Sequence, residues 1–213
     1  MIENMALYID HTLLKPDATV EQIDQLCREA AEHHFFSVCV NPYWVNRAHQ
    51  NLEGTKVKVA TVIGFPLGAT TKKMKATETT LSVVDGADEI DMVINIGALK
   101  SGDREIVLQD IQGVVQAAHG RLVKVILETG LLTRDEIIEA CLISKEAGAH
   151  FVKTSTGFLA GGATIEDVAL MRNTVGPDMG VKASGGIKEQ QQALAMIEAG
   201  ATRLGTSNGS KLL

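Results

Sequence analysis

The apolar positions of this chain fall into short β-branched runs, and six of those runs follow a glycine by a few residues. Gly54 precedes Lys56–Ile63, Gly86 precedes Glu89–Ile96, and Gly120 precedes Leu122–Leu127. Gly148 precedes Phe151–Thr154, Gly180 precedes Val181–Ala183, and Gly200 precedes Thr202–Leu204. The longer segments between the runs carry apolar residues at helical spacing. Two of them open with the form of a capping box, Thr19-Val-Glu-Gln22 and Thr133-Arg-Asp-Glu136. A glycine accepts the left-handed backbone that ends a helix, so each glycine is read as a helix-to-strand joint. With Leu7–Asp10 and Phe36–Val40 as the first two strands, the pattern predicts eight strand–helix units.

Units of roughly 25–30 residues fit an α/β chain folded as a (β/α)8 barrel of the TIM type, which commonly needs about 250 residues. The expectation is a single domain over residues 1–213, with an eighth helix that is short or missing because the sequence stops almost directly after the eighth strand. The rival architecture is an open doubly wound sheet. It would use fewer strands and, for a dinucleotide, place a GxGxxG after the first one; that motif is absent.

Strand parity then gives the chemistry a location. Alternate residues of a strand point to opposite faces, and in a barrel the apolar face meets the helices. On Glu89–Ile96 this sends Ile90, Met92, Ile94 and Ile96 outward, with Glu89, Asp91, Val93 and Asn95 inward. The same reasoning turns Lys124 and Glu128, Lys153, and Lys182 into the barrel. Such interiors are usually filled by branched apolar side chains, and an unpaired buried charge costs several kcal/mol. For Lys124 and Glu128 a stabilising ion network is the better reading. Lys153 and Lys182 lie toward the C-terminal ends of neighbouring strands, where barrel active sites sit, so for them function is preferred. Two close lysines repel, which lowers the pKa of the one less able to stay charged. A neutral amine can attack a carbonyl and form an imine, and a carboxylate such as Asp91 can move the protons.

Composition adds exclusions. A formal net charge of −6 argues against nucleic acid as a main partner but leaves room for a locally basic pocket. No apolar run reaches membrane-spanning length and no basic-then-apolar leader opens the chain, so a cytoplasmic location is the default. The cysteines Cys27, Cys39 and Cys141 have no CxxC spacing and are read as reduced core thiols. Cys39 itself is placed inward on the second strand, more as a buried thiol than as a nucleophile. The six histidines show no HExxH or comparable spacing, so no metal is expected. Glycine-rich turns follow the last three strands: Thr154-Ser-Thr-Gly-Phe158, Ala183-Ser-Gly-Gly-Ile187 and Gly205-Thr-Ser-Asn-Gly209. Turns after strands seven and eight are the usual phosphate position of such barrels, although each could be no more than a tight turn.

Taken together, these segments resemble the deoxyribose-phosphate aldolase family. The segments Ile9-Asp-His-Thr-Leu-Leu-Lys-Pro16, Ser37-Val-Cys-Val-Asn-Pro42 and Val62-Ile-Gly-Phe-Pro-Leu-Gly68 are similar to its first three strand ends. Glu89–Gly97, Phe151–Phe158 and Gly180–Ile187 are similar to its catalytic strands, in register from about residue 5 to about residue 209. The resemblance implies a class I aldolase that uses no metal or cofactor. It would cleave 2-deoxy-D-ribose 5-phosphate reversibly to D-glyceraldehyde 3-phosphate and acetaldehyde through a lysine Schiff base. It implies Lys153 as the Schiff-base lysine, Lys182 as the second lysine and Asp91 as the proton-relay carboxylate. It further implies Asp10, Thr12 and Cys39 beside the substrate, and Gly185, Gly186, Gly205 and Ser207 at the phosphate. Partners are then a phosphorylated sugar and short aldehydes. Family members are often dimers, so a homodimer fits, although no interface is legible in the sequence.

Two departures stand out. Some members carry a phosphate-binding lysine where this chain has Phe158, which shifts the expectation toward backbone amides and Lys188. Some also end in a tail tyrosine that assists proton transfer. Here the sequence stops at Leu213, which bears on the catalytic rate and on the stability of the barrel seam. Two other readings compete: a different imine-forming aldolase, such as a transaldolase-like barrel, and a catalytically silent sugar-phosphate binder. The pair of lysines with Asp91 argues against the silent binder.

Overall fold

A computed structural model describes residues 4–159 and 161–213. Eight parallel strands close into a barrel in sequence order. They are β1 (Ile9–Leu13), β2 (Ser37–Val40), β3 (Lys58–Ile63), β4 (Glu89–Val93), β5 (Leu122–Ile126), β6 (Phe151–Lys153), β7 (Gly180–Ser184) and β8 (Arg203–Thr206). The outer layer is α1 (Val20–Glu32), α2 (Val45–Asn51), α3 (Lys72–Val84), α4 (Ile96–Lys100), α5 (Arg104–Ala117), α6 (Arg134–Glu146), α7 (Ile165–Val175) and α8 (Gln190–Glu198). After β8 the expected stub is a single 3-10 turn, Gly209–Leu212, whose Leu212 is fully buried. The seam closes through Ile9↔Leu204, Asp10↔Gly205 and His11↔Thr206. Among the described residues no helix is long and apolar enough to cross a membrane.

The local signals act as their chemistry requires. Both capping boxes form: Thr19 with Gln22 starts α1, and Thr133 with Glu136 starts α6. Gly54, Gly86, Gly120, Gly148 and Gly200 all take positive φ at the joints. Gly180 does not. It begins β7 itself, and a Cβ there would lie 2.2 Å from the Phe151 ring, so this glycine is required by packing and not by backbone twist. The first strand starts later than its apolar pattern suggests, because Met5–Tyr8 is a 3-10 turn whose N-terminus the Asn4 side chain caps. The fourth strand ends earlier, at Val93. The Asn95 side chain accepts from the Ala98 amide and starts α4, so Asn95 and Ile96 lie outside the strand.

Val, Ile, Met and Leu side chains from the outward strand faces pack against the helices in one continuous cluster. A buried ion pair crosses this layer. Lys75 on α3 meets Asp110 on α5 and also donates to the Val93 carbonyl at 2.8 Å. Burial pushes the Lys75 ammonium pKa down and the Asp110 carboxyl pKa up, so each ion relies on the other. Removing one partner strands a charge, whereas an apolar replacement of both does not. Asp110→Ala should therefore cost about 3–5 kcal/mol in urea unfolding, while Lys75→Met with Asp110→Leu should return to wild-type stability or above. A single variant as stable as wild type would contradict the pairing.

Candidate active site

Parity and register together bring the polar side chains into one layer. Asp91 lies level with Lys124, Lys153 with Lys182, Lys182 with Arg203, and Asp10 with both Ser37 and Gly205. All of the charged members are buried. Asp91 is the hub. Its Oδ1 accepts from Lys124 at 2.7 Å, while its Oδ2 accepts from Lys153 at 2.9 Å and from Lys182 at 2.8 Å. The two lysine amines thus converge on one oxygen. Lys182 has a second partner, Asp10, at 2.5 Å, and Lys124 has Glu89 at 2.5 Å. Arg203 completes the layer on Asp10 at 2.9 Å and Glu89 at 3.1 Å, with its guanidinium 3.4 Å over the Phe36 ring.

Lys124, Lys153, Lys182 and Arg203 face Asp10, Glu89 and Asp91, so the cluster holds one cation more than carboxylates. The amine that yields its charge is the one with least compensation. Burial, then the positive charge of Lys182, pulls the Lys153 pKa below the usual lysine value, and Asp91 only partly opposes this. Burial also opposes charge on Lys182, but Asp10 and Asp91 overcome it and hold that ammonium well above its ordinary pKa. Lys124 is likewise raised against burial by Asp91 and Glu89. Asp91 is held well below the carboxylate range, since Lys124, Lys153 and Lys182 outweigh its burial. The outcome is a neutral-prone Lys153 beside a permanent ammonium and a permanent carboxylate. Such an arrangement can supply a nucleophile with a proton donor and a proton acceptor in contact.

Above this layer opens a cavity of about 320 Å3. Lys153 forms part of its wall, with Thr12, Gly185, Gly186, Gly205 and Ser207 around it and Lys188 at its edge. Gly185 and Gly186 both take positive φ. Gly205 is required by proximity: a Cβ there would lie 2.9 Å from the Ser184 Cβ and 3.1 Å from the Lys182 Cε. The amides of Gly186 and Ser207 have no acceptor among the described residues. The start of α8 is different, because Gln192 already accepts from the Lys188 and Glu189 amides.

The remaining sequence candidates divide. Thr12 reaches the cavity wall. Asp10 lies fully buried beneath it, its carboxylate taken by Lys182, Arg203 and Ser37. Cys39 is inward and fully buried among Leu14, Ala60 and Val62, and burial pushes its thiol pKa up. Lys124 does belong to an ion network. Glu128, expected in such a network from an inward strand position, makes no ion pair among the described residues. It lies past the end of β5 with left-handed φ and ψ of 59° and 60°, and its carboxylate accepts from the Thr156 amide and hydroxyl. Arg203 was missed, although the parity that found Lys182 also turns Arg203 inward between Thr202 and Leu204.

A family model described as DeoC/LacD family aldolase matches residues 4–212. The chain is 64% identical over 210 residues to the deoxyribose-phosphate aldolase of Brevibacillus brevis, covering 99% of this chain and 95% of that protein. It is 63% identical over 206 residues to the deoxyribose-phosphate aldolase of Streptococcus gordonii, covering 97% and 94%. It is also similar to the solved tetrameric structure of deoxyribose phosphate aldolase from Aeropyrum pernix. There the TM-score is 0.91 at 36% identity, covering 98% of this chain and 88% of that one.

The geometry fixes a sign for pH. Reductive methylation by formaldehyde and cyanoborohydride, read per lysine by mass spectrometry across a pH series, gives the midpoint at which Lys153 becomes reactive, and that midpoint should lie below the ordinary lysine value. Lys182→Met removes a like charge and leaves Asp91 freer to hold a Lys153 ammonium, so the Lys153 midpoint should move up. An unmoved or lowered midpoint would contradict the electrostatic coupling.

Proposed function

The chain belongs to the DeoC/LacD family of aldolases, and on that premise we propose that Lys153 carries the reversible cleavage of 2-deoxy-D-ribose 5-phosphate to D-glyceraldehyde 3-phosphate and acetaldehyde. The observation that supports this most directly is the shared oxygen, with Lys153 and Lys182 both on Asp91 Oδ2.

In this reading the neutral Lys153 amine attacks C1 of the open-chain aldehyde. Proton transfers through Asp91, replenished from the Lys182 ammonium, carry the hydroxyl away as water and leave a protonated imine. The iminium is the electron sink, so the chemistry asks for no metal or cofactor. The C3 hydroxyl loses its proton, the C2–C3 bond breaks, and its electron pair moves into the C1–C2 enamine as glyceraldehyde 3-phosphate departs. Protonation at C2 and addition of water then release acetaldehyde and the free amine. Asp10 acts through Lys182, holding its charge so that the charge on Lys153 stays low.

The phosphate is assigned to the Gly186 and Ser207 amides, the turns at Gly185 and Gly205, and the Lys188 ammonium at the rim. This replaces the lysine that some relatives carry where this chain has Phe158. Thr12 is assigned to a substrate hydroxyl, and Cys39 to the inner wall without chemistry of its own. The three free buried cysteines are in keeping with a cytoplasmic setting. A second copy of the chain is the proposed partner. The supporting feature is a groove that carries the exposed Leu67, Met74 and Leu81, and size-exclusion with light scattering tests it directly.

Borohydride added during turnover should fix a two-carbon adduct on Lys153, visible in the peptide mass. Lys153→Ala should abolish cleavage, and Asp91→Asn should slow it by about 10²–10⁴-fold if Asp91 moves the proton. An adduct on any lysine but Lys153, or none, would overturn the proposal.

A further inference from the structure

Glu128 is a buried carboxylate to which the chemistry above gives no part. It is 1% exposed and sits in left-handed backbone, a conformation that disfavours every residue with a Cβ and suits glycine. Something must offset that cost, and the side chain has one set of partners: the amide and hydroxyl of Thr156. Thr156 follows Lys153 by three residues. Its hydroxyl oxygen in turn accepts from the Phe158 amide at 3.1 Å. Ion pairing does not account for Glu128, because none of the described lysines or arginines lies within reach of it.

Phe158 is half exposed on the cavity wall, and its ring meets Phe65 edge-on at 5.1 Å with an interplanar angle of 86°. Phe65 belongs to the turn after β3, whereas Phe158 belongs to the turn after β6. These strands are three apart in an eight-stranded barrel, so the aromatic pair spans the mouth. Phe65 packs on the inner apolar cluster of Leu14, Cys39, Ala60 and Val62. Its own turn is anchored, since Glu78 accepts from the Gly64 amide at 2.8 Å. The phosphate-ready turns after β7 and β8 lie outside this span. The mouth is therefore divided into an open polar half and a half roofed by aromatic rings over apolar side chains.

We propose that Glu128 is a positioning residue for donor selectivity. By holding Thr156 it fixes Phe158 against Phe65, and the pair with Leu14 limits the apolar side of the cavity beside Lys153 so that it admits a two-carbon donor and excludes longer aldehydes. The inference rests on the aldolase reading. An apolar pocket discriminates one methylene by about tenfold or more, which sets the scale of the effect. A glycine at position 128 would relax the backbone yet lose the clamp, and glutamine would keep the clamp, its amide oxygen taking the place of Oε2 and accepting from both the amide and the hydroxyl of Thr156.

The test is kcat/KM for acetaldehyde against propanal as donor, with glyceraldehyde 3-phosphate as acceptor. Thermal unfolding of each variant is followed alongside. Phe158→Ala should raise the propanal-to-acetaldehyde ratio about tenfold. Glu128→Gly and Thr156→Val should move it in the same direction, while Glu128→Gln should stay near wild type. Thr156→Val preserves side-chain shape, so it keeps the clamp testable if Glu128→Gly fails to fold. An unchanged ratio in Phe158→Ala would sink the roof. A shifted ratio in Phe158→Ala with none in Thr156→Val or Glu128→Gly would sink the role of Glu128, as would a Gln variant that behaves like the Gly variant. Wild-type cleavage of 2-deoxyribose 5-phosphate is the control, and its absence would overturn the aldolase reading and this inference together.

Discussion

The barrel is organised around a charge count that does not close. Four cationic side chains and three carboxylates are buried in one layer, and burial makes a surplus charge expensive. Discharging one lysine settles the count, and geometry decides which. Lys182 holds two carboxylates and Lys124 three, while Lys153 has only a shared oxygen of Asp91 and the cavity on its other side. The lowered pKa of Lys153 is therefore a property of the whole layer. Neighbours that never reach the cavity, such as Asp10, Glu89 and Arg203, belong to it as much as those that do.

How much of this was legible in the sequence follows from how far each signal reaches. Period-two alternation is local and strong, and it turned Asp91, Lys124, Lys153 and Lys182 inward without any tertiary information. The same alternation misled at Glu128, because it was continued past the last strand residue. One left-handed residue resets the direction of every side chain after it. Asn95 shows a related limit: a capping side chain ends the strand before its apolar run ends. The Lys75–Asp110 pair was out of reach for another reason. Its members sit in separate helices 35 residues apart, and nothing near either one marks it as buried. The glycine-rich turns were legible as turns, and the structure leaves the Gly186 and Ser207 amides without an acceptor among the described residues; the self-capping of α8 by Gln192 was not legible, since a Gln three residues into a helix reads equally well as solvated.

The two layers of the barrel use ions differently. In the outer layer Lys75 and Asp110 form a closed pair inside apolar packing, each with its pKa moved by burial toward the neutral form. In the inner layer Asp10, Asp91, Lys124, Lys182 and Arg203 are pushed toward their charged forms and Lys153 away from its own, because each carboxylate serves several cations. The first arrangement can be replaced by hydrocarbon without loss of fold. In the second, burial and the unbalanced positive charge together pull the Lys153 pKa down.

The Arg203 guanidinium lies flat over Phe36, with the Phe151 ring 5.5 Å away, on the side of the charged layer opposite the cavity. The effect is that of a stopper. On its other side Lys153 meets the cavity, so the charged layer is a partition with aromatic rings beneath it and an open chamber above.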